Sequence, residues 1–426
     1  MLRLSPPSRS QGVSYCLTVF ISDTSSLKNR GLMLAFATSP YIVTTWAGGP
    51  LSEAFIAIGG PGWRWGFGVF SILIPVVVSP LIALFFWNQH RAEKLGVIKR
   101  EKHALTGASV KKFLIEFDLL GVCLLAAGMA MFLTPMSIWS YQEKQWASPL
   151  IICLVVFGAL LIVIFALYEY FLAPINFVPM RLLADRNVLL SGIMLGLVFF
   201  NSSVWGSYFY SMLLVVWNQT VTNATYISNI YRVGSCFSAL VIGYLIRYTK
   251  RFKWAALYFS MPLMILGVGL MIEFRQPDAN IGYVIMTQIF TAFAGGPIVI
   301  CVELAMMSTV EHQQIAAILA ILDLFGSVGS AVGSTVSAAI WTGTFKNALR
   351  KHLPETAPIE TIYGSLYPQL GYVVGDPIRY GIAVAYGEAQ RYMLITSVCI
   401  LGAAWVVTAF WRDVKLNEKQ VKGLVA

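Results

Sequence analysis

Apolar runs of about 20 residues, each long enough to cross a ~30 Å hydrocarbon core, recur along almost the whole chain. Ten runs predict ten membrane-spanning helices: 31–57, 66–87, 117–138, 149–172, 187–216, 226–246, 254–273, 281–303, 314–342 and 391–411. The runs 31–57, 187–216 and 314–342 exceed what a crossing needs and are expected to tilt or break. Most linkers are too short for a soluble domain, so the expected fold class is an all-α integral membrane bundle. Two connections are longer. Segment 88–116 is basic, and 343–390 carries Tyr363, Tyr367, Tyr372, Tyr380 and Tyr386 among Gly and Pro breaks. The second is read either as a gate over the substrate or as a packed external cap.

Composition agrees with a membrane protein. Of 426 residues 57% are hydrophobic and 12% charged, against roughly 25% charged in soluble domains; mean hydropathy is +0.71. The net charge of +10 does not point to nucleic acid, because the cations lie between spans rather than in one patch. Placing the amino terminus, the linkers 88–116, 173–186, 247–253 and 304–313 and the tail 412–426 on one side collects 21 of the 30 lysines and arginines there. That side is expected to be cytoplasmic. The glycosylation sequons at Asn218 and Asn223 then fall outside. A third, at Asn201, lies within a span. The six cysteines are dispersed without a Cys-x-x-Cys pair and are read as packing residues. The apolar stretch 13–22 lacks a cleavage site and is read as the tail of a lost span within a cytoplasmic start, 1–30.

Several stretches carry a resemblance. "SDTSSLKNRG" (22–31), "SPYIVTTWAGG" (39–49) and "GWRWGFG" (62–68) look like the end of the first six-helix unit of major facilitator transporters. With "YISNIYRVGSCF" (226–237), "AFAGGPIVI" (292–300), "GSVGSAVGSTVSAAIWTGTF" (326–345) and "AYGEAQRYML" (385–394), the chain resembles the fungal siderophore-iron transporters, a fourteen-span branch of that superfamily. The resemblance implies motif residues Asp23, Arg30, Gly31, Trp63, Arg64 and Trp65. It also implies that about ten of fourteen helices are present: the last two of the first bundle (31–87), a central extra pair (117–172) and the second bundle (187–411), with external loop 343–390. A chain lacking four spans would leave a central cavity open to lipid. What the resemblance implies functionally is proton-driven uptake of ferric hydroxamate siderophores across a plasma or vesicle membrane, with no enzyme activity, resident cofactor or metal site. A proton antiporter for drugs or other small molecules and a non-transporting truncated relative are the alternatives. A membrane enzyme is disfavoured because His90, His103, His312 and His352 are scattered without ligand spacing.

Within that frame Asp323 and Glu53 are the proton-coupling candidates. Asp323 lies roughly 13 Å into its span by helical rise, where a carboxylate is costly unless it faces a polar passage or a hydrogen-bonding neighbour. Gly329, Gly333 and Ser337 share a stripe at four-residue spacing that permits close helix packing. Arg232 needs a partner in Asp323, Glu53 or the substrate. Tyr226, Tyr231, Trp205, Tyr208, Tyr372, Tyr380 and Tyr386 complete the substrate-contact candidates. Tyr41, Trp46, Phe199 and Phe200 could line the same pocket or simply pack, and Glu303 and Glu169 are expected to be exposed at cytoplasmic helix ends.

Overall fold

The computed structural model describes residues 7–56, 60, 62–96, 115, 118–142, 144–173, 180–310 and 314–416. Linker residues 97–114 and the side chains of Asp23 and Trp63 lie outside the described set. Among the described residues the chain is helical without strands. Nine helical segments among the described residues are long and apolar enough to span a membrane.

The tenth expected span, 31–57, is broken. Helix α1 (Pro7–Thr24) is followed by α2 (Leu27–Thr38) and α3 (Tyr41–Ile56), which are 12 and 16 residues long. The break falls at Ser39-Pro40, because proline lacks the N–H that would continue the helical ladder. The residues read as a remnant, 13–22, lie within α1, which packs on α2. Helix α4 (Gly62–Lys94) follows; no part of its span is buried in the chain. Helices α5 (Leu119–Ile138) and α6 (Pro149–Phe171) form an antiparallel pair, tied by the Tyr168 hydroxyl donating to Asp118 at 2.8 Å.

The run 187–216 also breaks, into α7 (Arg186–Gly206) and α8 (Phe209–Val215), with Ser207 extended and Tyr208 left-handed at φ 59°. Helix α9 (Val221–Thr249) starts from a Thr220 cap whose hydroxyl accepts the Asn223 N–H at 3.2 Å. A π-helical turn, Ala255–Ser260, runs into α10 (Met261–Phe274), and α11 (Ile281–Met307) follows.

The run 314–342 does not break. It becomes α12 (Ile315–His352), 38 residues long, or about 57 Å at 1.5 Å per residue. No proline interrupts "GTFKNALRKH", and Arg350, Lys351 and His352 suit the negative end of a helix dipole. At the far side of the expected loop, the Asp376 carboxylate accepts the Ile378 N–H at 2.7 Å and Pro377 occupies the first helical position, starting α15 (Pro377–Ala409). The expected loop 343–390 is therefore corrected: 343–352 and 377–390 are helical, and Tyr380 and Tyr386 belong to α15. Only 353–376 forms a cap, with two short helices, α13 (Ile359–Gly364) and α14 (Leu366–Leu370).

That cap is pinned. Arg379 donates to the carbonyls of Val215, Gln369, Leu214 and Tyr372 at 2.8–3.1 Å, and Lys346 pairs with Glu360 at 2.7 Å. At the opposite end of the bundle the termini of α7, α9 and α15 meet. Asn187 accepts the Arg412 N–H at 2.8 Å, and Arg251 pairs with Asp413 at 2.7 Å. The main core is built on α2, α7, α9, α10, α11, α12 and α15 and is rich in methionine: Met194, Met261, Met264, Met271, Met306 and Met307 are fully buried.

Candidate functional site

A cavity of about 730 Å³ opens between α1, α2 and α3 on one side and α7, α9 and α11 on the other. Its walls are mostly apolar, from Leu17 and Leu34 to Val198, Phe199 and Val299, with hydroxyls from Thr18, Thr38, Thr44, Ser202 and Ser235. Arg232 on α9 and Glu303 on α11 are its two charged lining residues. Apolar walls with a few converging polar groups are what a site for a small molecule looks like.

The α9–α11 wall exists because of the Gly295-Gly296 pair. A Cβ on Gly296 would overlap the carbonyl of Ser235, and one on Gly295 would come within 2.8 Å of the Tyr231 ring. Only glycine lets these helices approach so closely and lets the Tyr231 ring pass flat against the α11 backbone. Tyr231 thus reaches across towards α7, where it lines the cavity with Ser202 and meets Trp205 edge-on at 5.3 Å. The next residue, Arg232, places its guanidinium 5.3 Å from the Tyr41 ring centre. Among the described residues it forms no ion pair, neither with Asp323 nor with Glu53.

Glu303 is half-buried in the cavity wall, although a cytoplasmic helix end implied an exposed carboxylate. Glu169, read the same way, is buried between α5 and α6, at 1% exposure. Asp323 is itself exposed and does not line the cavity, but it lies within electrostatic reach of Glu303 and of Tyr15 on α1. Glu53 stands apart. It is exposed, and its carboxylate accepts a hydrogen bond from the Thr222 hydroxyl.

The other aromatic candidates separate into two groups. Tyr226 meets Trp46 edge-on at 5.3 Å beside a smaller apolar void. Tyr208, Trp341, Phe345 and Tyr386 stack under the cap, with Tyr208 and Trp341 4.0 Å apart and the Tyr386 hydroxyl donating to Gln369 at 2.9 Å. Tyr363 closes this cluster from the cap, and burial together with Tyr141 pushes its phenol up to about 12. Tyr372 lends its carbonyl to Arg379, and exposed Tyr380 points its hydroxyl at Asp278. Trp205, Tyr208, Phe200, Tyr372, Tyr380 and Tyr386 therefore do not line the large cavity. The extension of α12 and the grip of Arg379 make 353–376 a packed lid over aromatic rings, set apart from the cavity's lining. Of the expected lining residues, Tyr41, Phe199, Tyr231 and Arg232 are the ones found there.

Two of the motif residues, Arg30 and Gly31, pack inside the bundle. Arg30 is fully buried and donates to the carbonyls of Ser22 and Ser25 at 2.7 and 3.4 Å, holding α1 against α2. Gly31 faces Ile300 and Leu304 of α11, while Arg64 and Trp65 are exposed. Gly329 and Gly333 lie against the carbonyls of Gly196 and Phe200, and Ser337 is buried on the same helix. Asn218 and Asn223 are both exposed, between α8 and the first turn of α9.

Sequence reading missed Arg275. It is fully buried at the end of α10, donating to the Trp205 carbonyl at 2.6 Å and to Gln390 Oε1 at 3.2 Å, with its guanidinium 4.0 Å from the Phe209 ring centre. The one available signal was Gln390 inside "AYGEAQRYML", a polar residue on the face that α15 turns inward.

Comparison with known proteins identifies the company this chain keeps. The family model described as "Fungal trichothecene efflux pump (TRI12)" matches residues 9–370. "MFS siderochrome iron transporter 1" of Ajellomyces capsulatus is 49% identical over 418 residues, 97% of this chain and 71% of that one. "MFS siderochrome iron transporter D" of Aspergillus fumigatus is 43% identical over 97% of this chain and 69% of its own length. "Siderophore iron transporter mirB" of Emericella nidulans is 39% identical over 97% and 69%. With a helical bundle throughout and relatives this similar along almost its whole length, the chain belongs to this fungal family of major facilitator transporters.

Proposed function

We propose that the protein takes up ferric siderophores and that the intact chelate occupies the cavity beside Arg232 and Glu303. The observation that carries this reading is that cavity, found in a chain 49% identical to a siderochrome iron transporter. Its volume falls in the range of small-molecule sites. Hydroxamate oxygens around a ferric ion carry partial negative charge, and Arg232, which forms no ion pair among the described residues, offers planar donors to them. The surrounding apolar wall suits the chelate's carbon skeleton. No bond of the cargo needs to be made or broken, so no enzymatic step enters.

Proton coupling belongs to the same proposal. Glu303 faces the cavity and Asp323 stands behind it, so a proton taken by one carboxylate alters the field at the other. Rocking of the helices about the cavity would expose that pair alternately to the two sides. The carboxy terminus is cytoplasmic in this scheme, and the membrane is the plasma membrane or that of a vesicle.

The family model's description supports a second reading, outward pumping of a small molecule. Direction of flux separates the two. Yeast cells lacking their own siderophore uptake and expressing the protein should accumulate radio-iron supplied as a hydroxamate chelate. Arg232→Gln should weaken apparent affinity about tenfold, the worth of one charge-assisted hydrogen bond. Iron accumulation no faster than in empty-vector cells, with faster loss of preloaded chelate, would favour the pump.

A further inference from the structure

A further hollow, of about 480 Å³, lies at the end of the bundle where α9 finishes and α2 begins. Lys28, Tyr244, Arg247, Tyr248 and Lys250 line it, and it shares no lining residue with the large cavity. Its described lining consists of three cations and two phenol rings. Lys28 sits in the first turn of α2, at the positive end of that helix, where Ser26 makes no side-chain cap. Arg247 and Lys250 come from the last turn of α9 and its left-handed terminus.

Neighbouring cations on the same linker point elsewhere. Arg251 pairs with Asp413, and Lys253 donates to the carbonyls of Ala409 and Trp411 at 2.9 and 2.6 Å. Arg247, by contrast, is exposed and forms no ion pair among the described residues. Beside it the rings of Tyr244 and Tyr248 are 61% and 84% exposed. Amphipathic rings of this kind settle at headgroup depth. A soluble phosphate would meet Arg247 and leave both rings in water, whereas a phospholipid puts phosphate on Arg247 and its glycerol-ester region against the rings.

We propose that this hollow binds the headgroup of an anionic phospholipid from the leaflet at that end of the bundle. Arg247 takes the phosphate through its planar fork, and Lys28 and Lys250 act as point charges. Basic pockets between spans at the cation-rich face are suited to such headgroups. Because α2 and α9 both wall the large cavity, a lipid held between their ends is placed to bias how they move.

Native mass spectrometry of the full chain, released from neutral detergent with equimolar dioleoyl phosphatidylinositol and dioleoyl phosphatidylcholine, tests this. Wild type should retain the anionic lipid selectively. The Arg247→Gln, Lys250→Gln double variant should lose it about ten- to thirty-fold, as removal of two cations implies. Arg91→Gln with Lys94→Gln, at the end of α4, should leave retention unchanged. Equal retention of both lipids by wild type overturns the proposal without reference to any variant. So does equal loss in both double variants, which would mean bulk charge alone, or displacement of the lipid by an equal concentration of soluble inositol phosphate.

Discussion

The guanidinium of Arg275 holds the carbonyl of Trp205 at 2.6 Å, at the point where α7 ends and the chain turns into α8. Gln390 completes the arrangement: its Oε1 accepts from Arg275 at 3.2 Å, and its Nε2 donates to the Ser207 carbonyl at 3.0 Å. A break in a membrane helix frees backbone carbonyls that must find donors within the protein. Here a side chain from α10 and one from α15 supply them.

Arg275→Met should therefore destabilise the protein by about 1–3 kcal/mol for each buried polar group left without a partner. Lysine at 275 should recover part of the loss, since it keeps a donor but not the contact with Phe209. The two residues share one network, so Gln390→Ala added to Arg275→Met should cost less than Gln390→Ala alone. Thermal unfolding in detergent, followed by fluorescence-detected size exclusion, reads all three. Strict additivity would mean that the arginine and the glutamine act separately.

This network shows where sequence reading stops. Nine spans were legible because lipid demands long apolar runs, and the small-residue stripe on α12 was legible because helical spacing survives any tertiary context. The break at Pro40 follows from local chemistry, yet the apolar run across it masks the interruption. Arg275 and Glu303 look like ordinary charges near span ends. Their burial depends on which helices cover them, and no periodicity records that. Tyr208 and Tyr386 failed as cavity residues for the opposite reason. An aromatic stripe gives no sign of whether it packs on rings or lines a space.

Gly329 offers a sharper test of the α7–α12 contact. A Cβ there would run into the Gly196 carbonyl, so Gly329→Ala forces a backbone shift costing about 1–3 kcal/mol. Gly402, on α15, has nothing within 4 Å of the same position. Gly402→Ala should be neutral or stabilise by about 0.5–1 kcal/mol through helix propensity. The same unfolding measurement on both variants decides it, and equal losses would contradict the close approach.

For proton coupling the structure makes Glu303 the more exposed test of the proposal, because it lines the cavity while Asp323 stands outside it. Glutamine cannot release a proton, so Glu303→Gln should bind chelate yet lose the stimulation of uptake by acidic medium. Asp323→Asn should retain part of that stimulation. Initial uptake rates across a series of external pH values give the answer. A Glu303→Gln protein with an unchanged pH profile would remove the carboxylate from the coupling scheme.

Tyr363 links the cap to alkaline stability. An unfolded phenol ionises near 10.0, but burial and Tyr141 hold the folded one at about 12. The folded state thus keeps its proton more tightly, and this contribution is fully present below pH 10 and disappears as pH rises towards 12. Tyr363→Phe should flatten the stability curve across that window and leave it unchanged at neutral pH. Denaturant midpoints measured at intervals from pH 9 to pH 12 test the sign.

Asn218 and Asn223 can report which side of the membrane the cap occupies. Both side chains are exposed, but only Asn218 lies outside regular structure, at φ 48°, while Asn223 sits in the first turn of α9 with its N–H on Thr220. A glycosylating enzyme needs an acceptor backbone free to adapt, which favours Asn218. If the cap faces outward, endoglycosidase treatment of the protein from a fungal host should increase its electrophoretic mobility. Asn218→Gln should abolish that change, and Asn223→Gln should preserve it. Cysteine placed at Asn218 supplies an independent reading, since an impermeant thiol reagent reaches it from outside the cell only in this orientation. Labelling confined to permeabilised cells would reverse the topology, moving Arg247 and its neighbours to the outer face.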